Sequence, residues 1–156
     1  MRATSTAAFL PLTTQAAAGA RAKEVLVMAQ ETESAAADCW AALLAGCEGA
    51  SRWGLDSRLR RLSEATSRHV GSRWWFAEGA SHRLRVARAQ AEVEDAISEG
   101  DGSEFARAFV GYDHAMASAV VCAGSPGTEP AETTARSRPE TTPPKTTTGG
   151  RHRRRT

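Results

Sequence analysis

The chain has 156 residues, a formal net charge of +2 and a charged fraction of 24%. This length suits one compact domain with or without a tail, and it excludes the large barrel enzymes of about 250 residues. No segment approaches the ~20 apolar residues of a membrane-spanning helix, so we do not expect an integral membrane protein.

The N-terminal third predicts a flexible segment followed by one long helix. Residues 1–14 contain only a short apolar patch that Pro11 interrupts, so we expect a flexible N-terminus, no secretory signal and a cytoplasmic protein. Gly46 fits the end of the helix that follows. From about 15 to 47, small and apolar side chains recur at the three- and four-residue steps of an amphipathic helix: Val25, Met28, Thr32, Ala35, Cys39, Leu43 and Cys47.

Two further helices, or one long bent helix, are predicted in the middle of the chain. The first carries a leucine stripe, and either Asp56 or Ser57 fits its N-cap. The second begins near Ser81, its expected N-cap, and continues to about residue 99. Gly71 and Gly79 are weak points, because glycine is a poor helix former.

A glycine-rich turn at residues 100–103 precedes the last predicted helix. Ser103 fits its N-cap, and Glu104 in the first turn suits the helix dipole. The sequence therefore predicts an all-α protein, a small helical hairpin or bundle of three to four helices. The last helix has the clearest amphipathic stripe of the chain: Phe105, Phe109, Tyr112, Met116 and Val120.

The C-terminal segment 123–156 predicts a disordered basic tail. It holds five of the six prolines and nine threonines, but no aromatic residue and no Leu, Ile, Val or Met. Such a segment cannot bury enough apolar surface to offset its ordering entropy. We therefore expect a helical domain at 15–122 and a disordered Pro/Thr/Arg-rich tail.

Charge is arranged in blocks along the chain. Residues 52–88 hold nine Arg and three acids, whereas residues 89–122 hold one Arg and seven acids. In one interpretation these blocks lie side by side in the bundle and neutralise each other. In the other, the basic face stays free to hold a polyanion.

The arginines are the candidate nucleic-acid ligands of this chain. Guanidinium groups bind phosphate through paired hydrogen bonds, and a basic tail on a tether suits non-specific attraction to nucleic acid. Arg58, Arg61 and Arg68 share the polar face of the second predicted helix, and Arg73 follows them. The tail adds Arg151, Arg153, Arg154 and Arg155.

Three consecutive aromatic residues form a candidate interaction face. Trp74, Trp75 and Phe76 point about 100° apart on a helix, so no single face holds all three. Either the stretch is buried on nearly all sides, or one ring faces solvent or a partner. Core packing, a self-association face and base stacking are the three interpretations of this cluster.

No residue pattern predicts catalysis. The sequence lacks a nucleophile elbow, a P-loop and a dinucleotide-binding motif, and its histidines and cysteines lack metal-ligand spacing. We expect no enzymatic activity, no metal and no cofactor. The three cysteines, Cys39, Cys47 and Cys122, are expected to be buried and reduced.

These observations predict a non-enzymatic accessory or regulatory protein that acts through protein–protein interaction or self-association. The alternative is non-specific nucleic-acid binding, as in a plasmid or phage accessory protein, through the segment 52–88 and the Arg-rich tail. The 31 Ala, and 18 Arg against 2 Lys, indicate a high-GC bacterial genome or a mobile element.

Overall fold

A computed structural model describes residues 8–49 and 54–125, and within these ranges the protein is all-α. The predicted fold class is confirmed, but three to four helices were too few, since the described residues form six. The helices are α1 (Pro11–Gly19), α2 (Lys23–Ala45), α3 (Leu55–Val70), α4 (Ser72–Phe76), α5 (Ala80–Glu99) and α6 (Gly102–Gly124).

Backbone breaks explain the additional helices. Arg21 adopts a φ of 55°, so the helix expected over 15–47 divides into α1 and α2. Gly71 adopts a φ of 88°, which a residue with a Cβ rarely reaches, and it separates α3 from α4. Gly79 lies between α4 and α5. The glycines at the weak points therefore interrupt the middle segment twice.

The expected caps need correction at three helices. Gly54, and neither Asp56 nor Ser57, is the N-cap of α3, and α5 already begins one residue before Ser81. At α6 the cap is Asp101, whose carboxylate accepts a hydrogen bond of 3.0 Å from the backbone N–H of Glu104. Carboxylates and hydroxyls cap equally well, so residue type alone does not fix the first residue of a helix.

The core forms where helices adjacent in the chain pack against each other. α2 packs on α3, and α5 packs on α6, while α1 lies against both α2 and α6. Phe9 lies at the centre of an aromatic cluster, with its ring 5.7 Å from that of Phe105 and 5.3 Å from that of Phe109 in edge-on arrangements. The predicted stripe of α6 is confirmed, since all five of its members are buried.

The N-terminal segment differs from the expected flexible stretch 1–14 over its described part. Phe9 and Leu10 are buried in the core, and α1 begins at Pro11, where a missing N–H suits the first turn of a helix. Residues 1–7 lie outside the described ranges. So does the tail from residue 126 onward, including Arg151, Arg153, Arg154 and Arg155.

Within residues 8–49 and 54–125, no helix is both long enough and apolar enough to cross a bilayer. α1 and α6, the two helices that are richest in uncharged residues, instead lie side by side and form the surface described next.

Candidate interaction site

A buried carboxylate of α6 fixes the start of α1. Both oxygens of Asp113 accept hydrogen bonds there: Oδ2 from the Leu12 backbone N–H at 3.1 Å, and Oδ1 from the Thr13 backbone N–H at 2.8 Å. The Thr13 hydroxyl donates a further bond of 2.7 Å to Oδ1. The first N–H groups of a helix lack partners within the helix and attract negative charge, so Asp113 caps α1 from another helix.

A second carboxylate, from α2, fixes the residues just before α1. Glu33 accepts hydrogen bonds of 2.6 Å from the backbone N–H groups of Phe9 and Leu10, one to each oxygen. Glu33 and Asp113 therefore hold the same short segment from opposite sides. Because these bonds use backbone donors, they set the position of the chain independently of most side chains in α1.

α1 forms a ridge between two open grooves. The groove toward α2 has a volume of about 580 Å³ and runs past Leu10, Pro11 and Ala37. The groove toward α6 has a volume of about 350 Å³ and is lined by Leu12, Gln15, Ala16, His114, Ala117, Ser118, Val121 and Cys122. Both walls include small Ala and Ser side chains, which leave the backbone of neighbouring helices accessible to close approach, and the wall toward α2 also includes Glu33.

This surface lacks charge, although a quarter of the chain is charged. α1 contains no Asp, Glu, Lys or Arg, and residues 108–125 of α6 contain a single one, Asp113. Asp113 is 3% exposed and faces α1, so it contributes no charge to the outer surface. We name the outer surface formed by α1 and residues 108–125 the neutral face.

Apolar side chains are exposed along the neutral face. Val110 and Val121 are 70% and 57% exposed, and Leu12 of α1 is 44% exposed. Val110, His114, Ala117 and Val121 follow one another at helical steps of four, three and four residues, so they share one stripe of α6, in which Ala117 is buried and lines the groove beside α1. Exposed apolar side chains that are contiguous and surrounded by polar residues are typical of interaction sites.

Sequence reasoning missed the two carboxylates that build this site. Asp113 lies among the apolar residues of α6, next to the core stripe, and an acid in that position is rarely buried without hydrogen-bond donors. The position of Asp113 among apolar residues was therefore the one signal in the sequence that this carboxylate is buried and hydrogen-bonded. It did not identify the hydrogen-bond donors, because Thr13 is 100 residues away in the chain.

The candidate nucleic-acid arginines divide into paired and unpaired groups. Arg58 lies 3.6 Å from Glu31, and Arg68 donates hydrogen bonds to Glu24; both acids belong to α2. The hydrogen bonds from Arg68 hold the pKa of the Glu24 carboxyl below its usual range. Arg61 and Arg73 are exposed, and neither forms an ion pair with another described residue.

The interpretation in which the basic block is neutralised by the acidic block 89–122 is correct only in part. Arg88 lies 3.7 Å from Glu92 of that block, but the two ion pairs of α3 are formed with α2. α3 follows α2 directly and packs along it, which brings their polar edges together. Such exposed pairs each contribute about 0–1 kcal/mol.

The three consecutive aromatic residues occupy three different environments. Trp75 is buried at 5% exposure, and Trp74 packs partly buried against the core. Phe76 is 64% exposed. The stretch is therefore not buried on all sides, and the ring that faces solvent belongs to Phe76.

The cysteines and acids of the described residues provide no metal centre. Cys39 is buried as expected, whereas Cys47 and Cys122 are exposed, which corrects the expectation for those two. Cys47 follows the end of α2, and Cys122 lies on the outer surface of α6. Within residues 8–49 and 54–125, no three His, Cys, Asp or Glu side chains come together in a group that could hold a metal ion.

The residues thus define an all-α helical bundle with a neutral face formed by α1 and α6. Comparison with known proteins adds no family to this description, since no family model, curated protein or solved structure matches the chain.

Proposed function

We propose that this chain is a non-enzymatic binding protein that self-associates, and that the neutral face is the surface where two copies meet. The observation that carries the proposal is the pairing of exposed Leu12, Val110 and Val121 with an absence of exposed charge on α1 and residues 108–125. Apart from the buried Asp113, the charged side chains of the described residues lie on α2, α3, α4, α5, the start of α6 and the connecting loops.

The absence of charge on the neutral face favours a second copy of the chain as its binding partner. In a two-fold dimer each patch meets itself, so a face with a net charge repels its own copy. The face that includes Arg60 and Arg61 of α3 would place like charges opposite each other. The neutral face contains no such charge, and the ionic groups closest to it along α6, Glu104 and Arg107, neutralise each other at 3.5 Å.

The shape of the neutral face also favours a second copy of the chain as its binding partner. α1 stands as a ridge between its two grooves, so a two-fold axis can place the ridge of each copy in a groove of the other. Helices pack by placing ridges in grooves, and small residues such as Ala16 and Ala117 permit close contact. Residues 108–125 span ~26 Å, and two adjacent helices span ~20 Å, a projected area on the order of 500 Å². Stable interfaces bury about 800 Å² per partner, so we expect a reversible dimer.

Sedimentation velocity of the full chain over a range of concentrations tests the proposal. We expect the dimer fraction to rise with concentration for the wild type. Val121→Arg places a charge in the contact on both copies, and we expect it to weaken dimerisation at least tenfold. Circular dichroism should show an unchanged fold, because Val121 is already 57% exposed.

Leu84→Arg is the matched control, since Leu84 is 59% exposed on α5 and outside the neutral face. It introduces the same side chain and should leave the dimer intact. A wild type that remains monomeric throughout, or a dimer that Leu84→Arg breaks and Val121→Arg does not, would contradict the proposal.

A further inference from the structure

The other distinctive surface of the molecule is the end where α3 finishes, α4 lies and α5 begins. Gly71 ends α3 with its positive φ, and the five residues of α4 carry the aromatic cluster. Gly79 then approaches Trp74 so closely that an added Cβ would lie 2.4 Å from its ring. The backbone N–H of Gly79 donates a 2.7 Å hydrogen bond to the Trp74 carbonyl, so this turn has a fixed shape.

Two aromatic stacks join α4 to α5 at this end. The Trp74 ring lies parallel to the His82 ring, with 6.0 Å between centroids and 16° between planes. The guanidinium carbon of Arg83 lies 4.9 Å from the centre of the Phe76 ring. One face of Phe76 is therefore covered by a cation, and 64% of the residue is still open to solvent.

The cation over Phe76 is not neutralised by an acid. The side chain of Arg83 forms no ion pair and no hydrogen bond within the described residues, and its buried Nε has no partner. His82 likewise has a buried Nδ1 without a partner. Between residues 69 and 87 the chain carries Arg73, Arg83 and Arg85 against one acid, Glu78. The end is therefore basic as well as aromatic.

We propose that this end binds single-stranded nucleic acid, with Phe76 as a stacking platform for one base and Arg73 and Arg83 as phosphate ligands. An open aromatic ring beside arginines is the combination that holds a single strand, because every base has a face that stacks and every linkage has a phosphate. This site differs from the polar face of α3, where Arg58 and Arg68 are engaged by α2.

Stacking by Phe76 and phosphate binding by the arginines can be measured separately, because the two interactions involve different parts of the strand. Stacking needs a base, whereas the arginines need only phosphate. An acidic peptide or inorganic polyphosphate offers charge without bases. The proposal therefore predicts that the chain binds a base-carrying strand more tightly than polyphosphate of matched charge, and that Phe76 accounts for the difference.

Fluorescence anisotropy of the full chain with a labelled thymidine 20-mer, in competition with polyphosphate, tests this inference. We expect Phe76→Ala to weaken binding of the 20-mer about five- to 100-fold and to leave polyphosphate binding unchanged. Arg73→Ala should weaken both ligands and lower the salt dependence by about 0.7 for the lost phosphate contact. Leu44→Ala and Arg107→Ala, exposed changes outside both this end and the neutral face, should alter neither.

Three results would overturn the proposal. The first is no binding of the 20-mer at low salt. The second is equal affinity for the 20-mer and polyphosphate in the wild type, which would leave only attraction between charges. The third is binding that is unaffected by Phe76→Ala and Arg73→Ala but abolished when residues 151–156 are removed, which would assign the site to the tail.

Discussion

Thr13 and Asp113 are 100 residues apart in the chain and meet in the core, where one carboxylate oxygen accepts both the backbone N–H and the hydroxyl of Thr13. Both residues are buried, at 0% and 3% exposure. A carboxylate in such a place is tolerated because several donors surround it and the start of a helix points at it. This contact fixes α1 against α6 and thereby shapes the neutral face.

The first prediction concerns this anchor. Asp113→Ala removes the acceptor for two backbone N–H groups and one hydroxyl, and we expect a loss of about 1.5–3 kcal/mol in the free energy of unfolding. Urea denaturation measures it. Asp101→Ala, which removes an exposed cap with a single bond, should cost only about 1 kcal/mol. Equal effects of the two changes would show that the Asp113 contacts contribute no more than an ordinary cap.

The second prediction compares two phenylalanines. Phe109 is 1% exposed and packs on three aromatic rings, so Phe109→Ala should lower stability by about 3–5 kcal/mol. Phe76→Ala removes a ring that is 64% exposed and should change stability by less than about 0.5 kcal/mol. Thermal melts of both variants provide the measurement. Similar melting temperatures for the two would contradict the assignment of the core.

The third prediction concerns pH. Tyr112 is the chain's one tyrosine, its hydroxyl donates a hydrogen bond of 3.3 Å to the Leu59 carbonyl, and burial raises its pKa well above the ordinary value of 10. In the unfolded chain the phenol ionises near its ordinary pKa, so this group stabilises the fold fully below about pH 10 and less as pH rises further.

Near-ultraviolet absorbance follows this single phenol directly. We expect ionisation to be delayed until alkaline unfolding, which circular dichroism detects on the same sample. In denaturant the phenol should titrate at its ordinary pKa. Ionisation near pH 10 with full helical signal would show that the Tyr112 hydroxyl is accessible in the folded protein.

Local patterns in the sequence predicted the helical class and the core stripe of α6, because these depend on neighbours three or four residues apart. The break at Arg21 was not predictable in this way, since a positive φ at arginine has no compositional signal. The break closes α1 through hydrogen bonds from the Arg21 and Ala22 backbone N–H groups to the Ala18 and Ala17 carbonyls. The order at Phe9 and Leu10 was missed for a related reason. Their partners, Glu33 and Phe109, are distant in the chain.

The candidate sites likewise include features that local sequence patterns predicted and features that only the fold showed. The arginine block and the exposed aromatic ring were visible in the sequence, because each depends on residue type and spacing. Which arginines remain unpaired depends on the packing of α3 against α2, and only the fold showed it. The neutral face was missed entirely, since it combines the first described helix with the last.

The contact between α1 and α6 also affects how the protein is made. Residues 9–19 leave the ribosome before α6 does, because Asp113 is synthesised 100 residues after Thr13, about 5–20 s later at typical rates of translation. Throughout that interval Phe9 and Leu10 lack the aromatic neighbours and the carboxylate of α6. Residues 9–19 can therefore complete their docking only after α6 has emerged, and a chaperone that binds short apolar segments would compete for them until then.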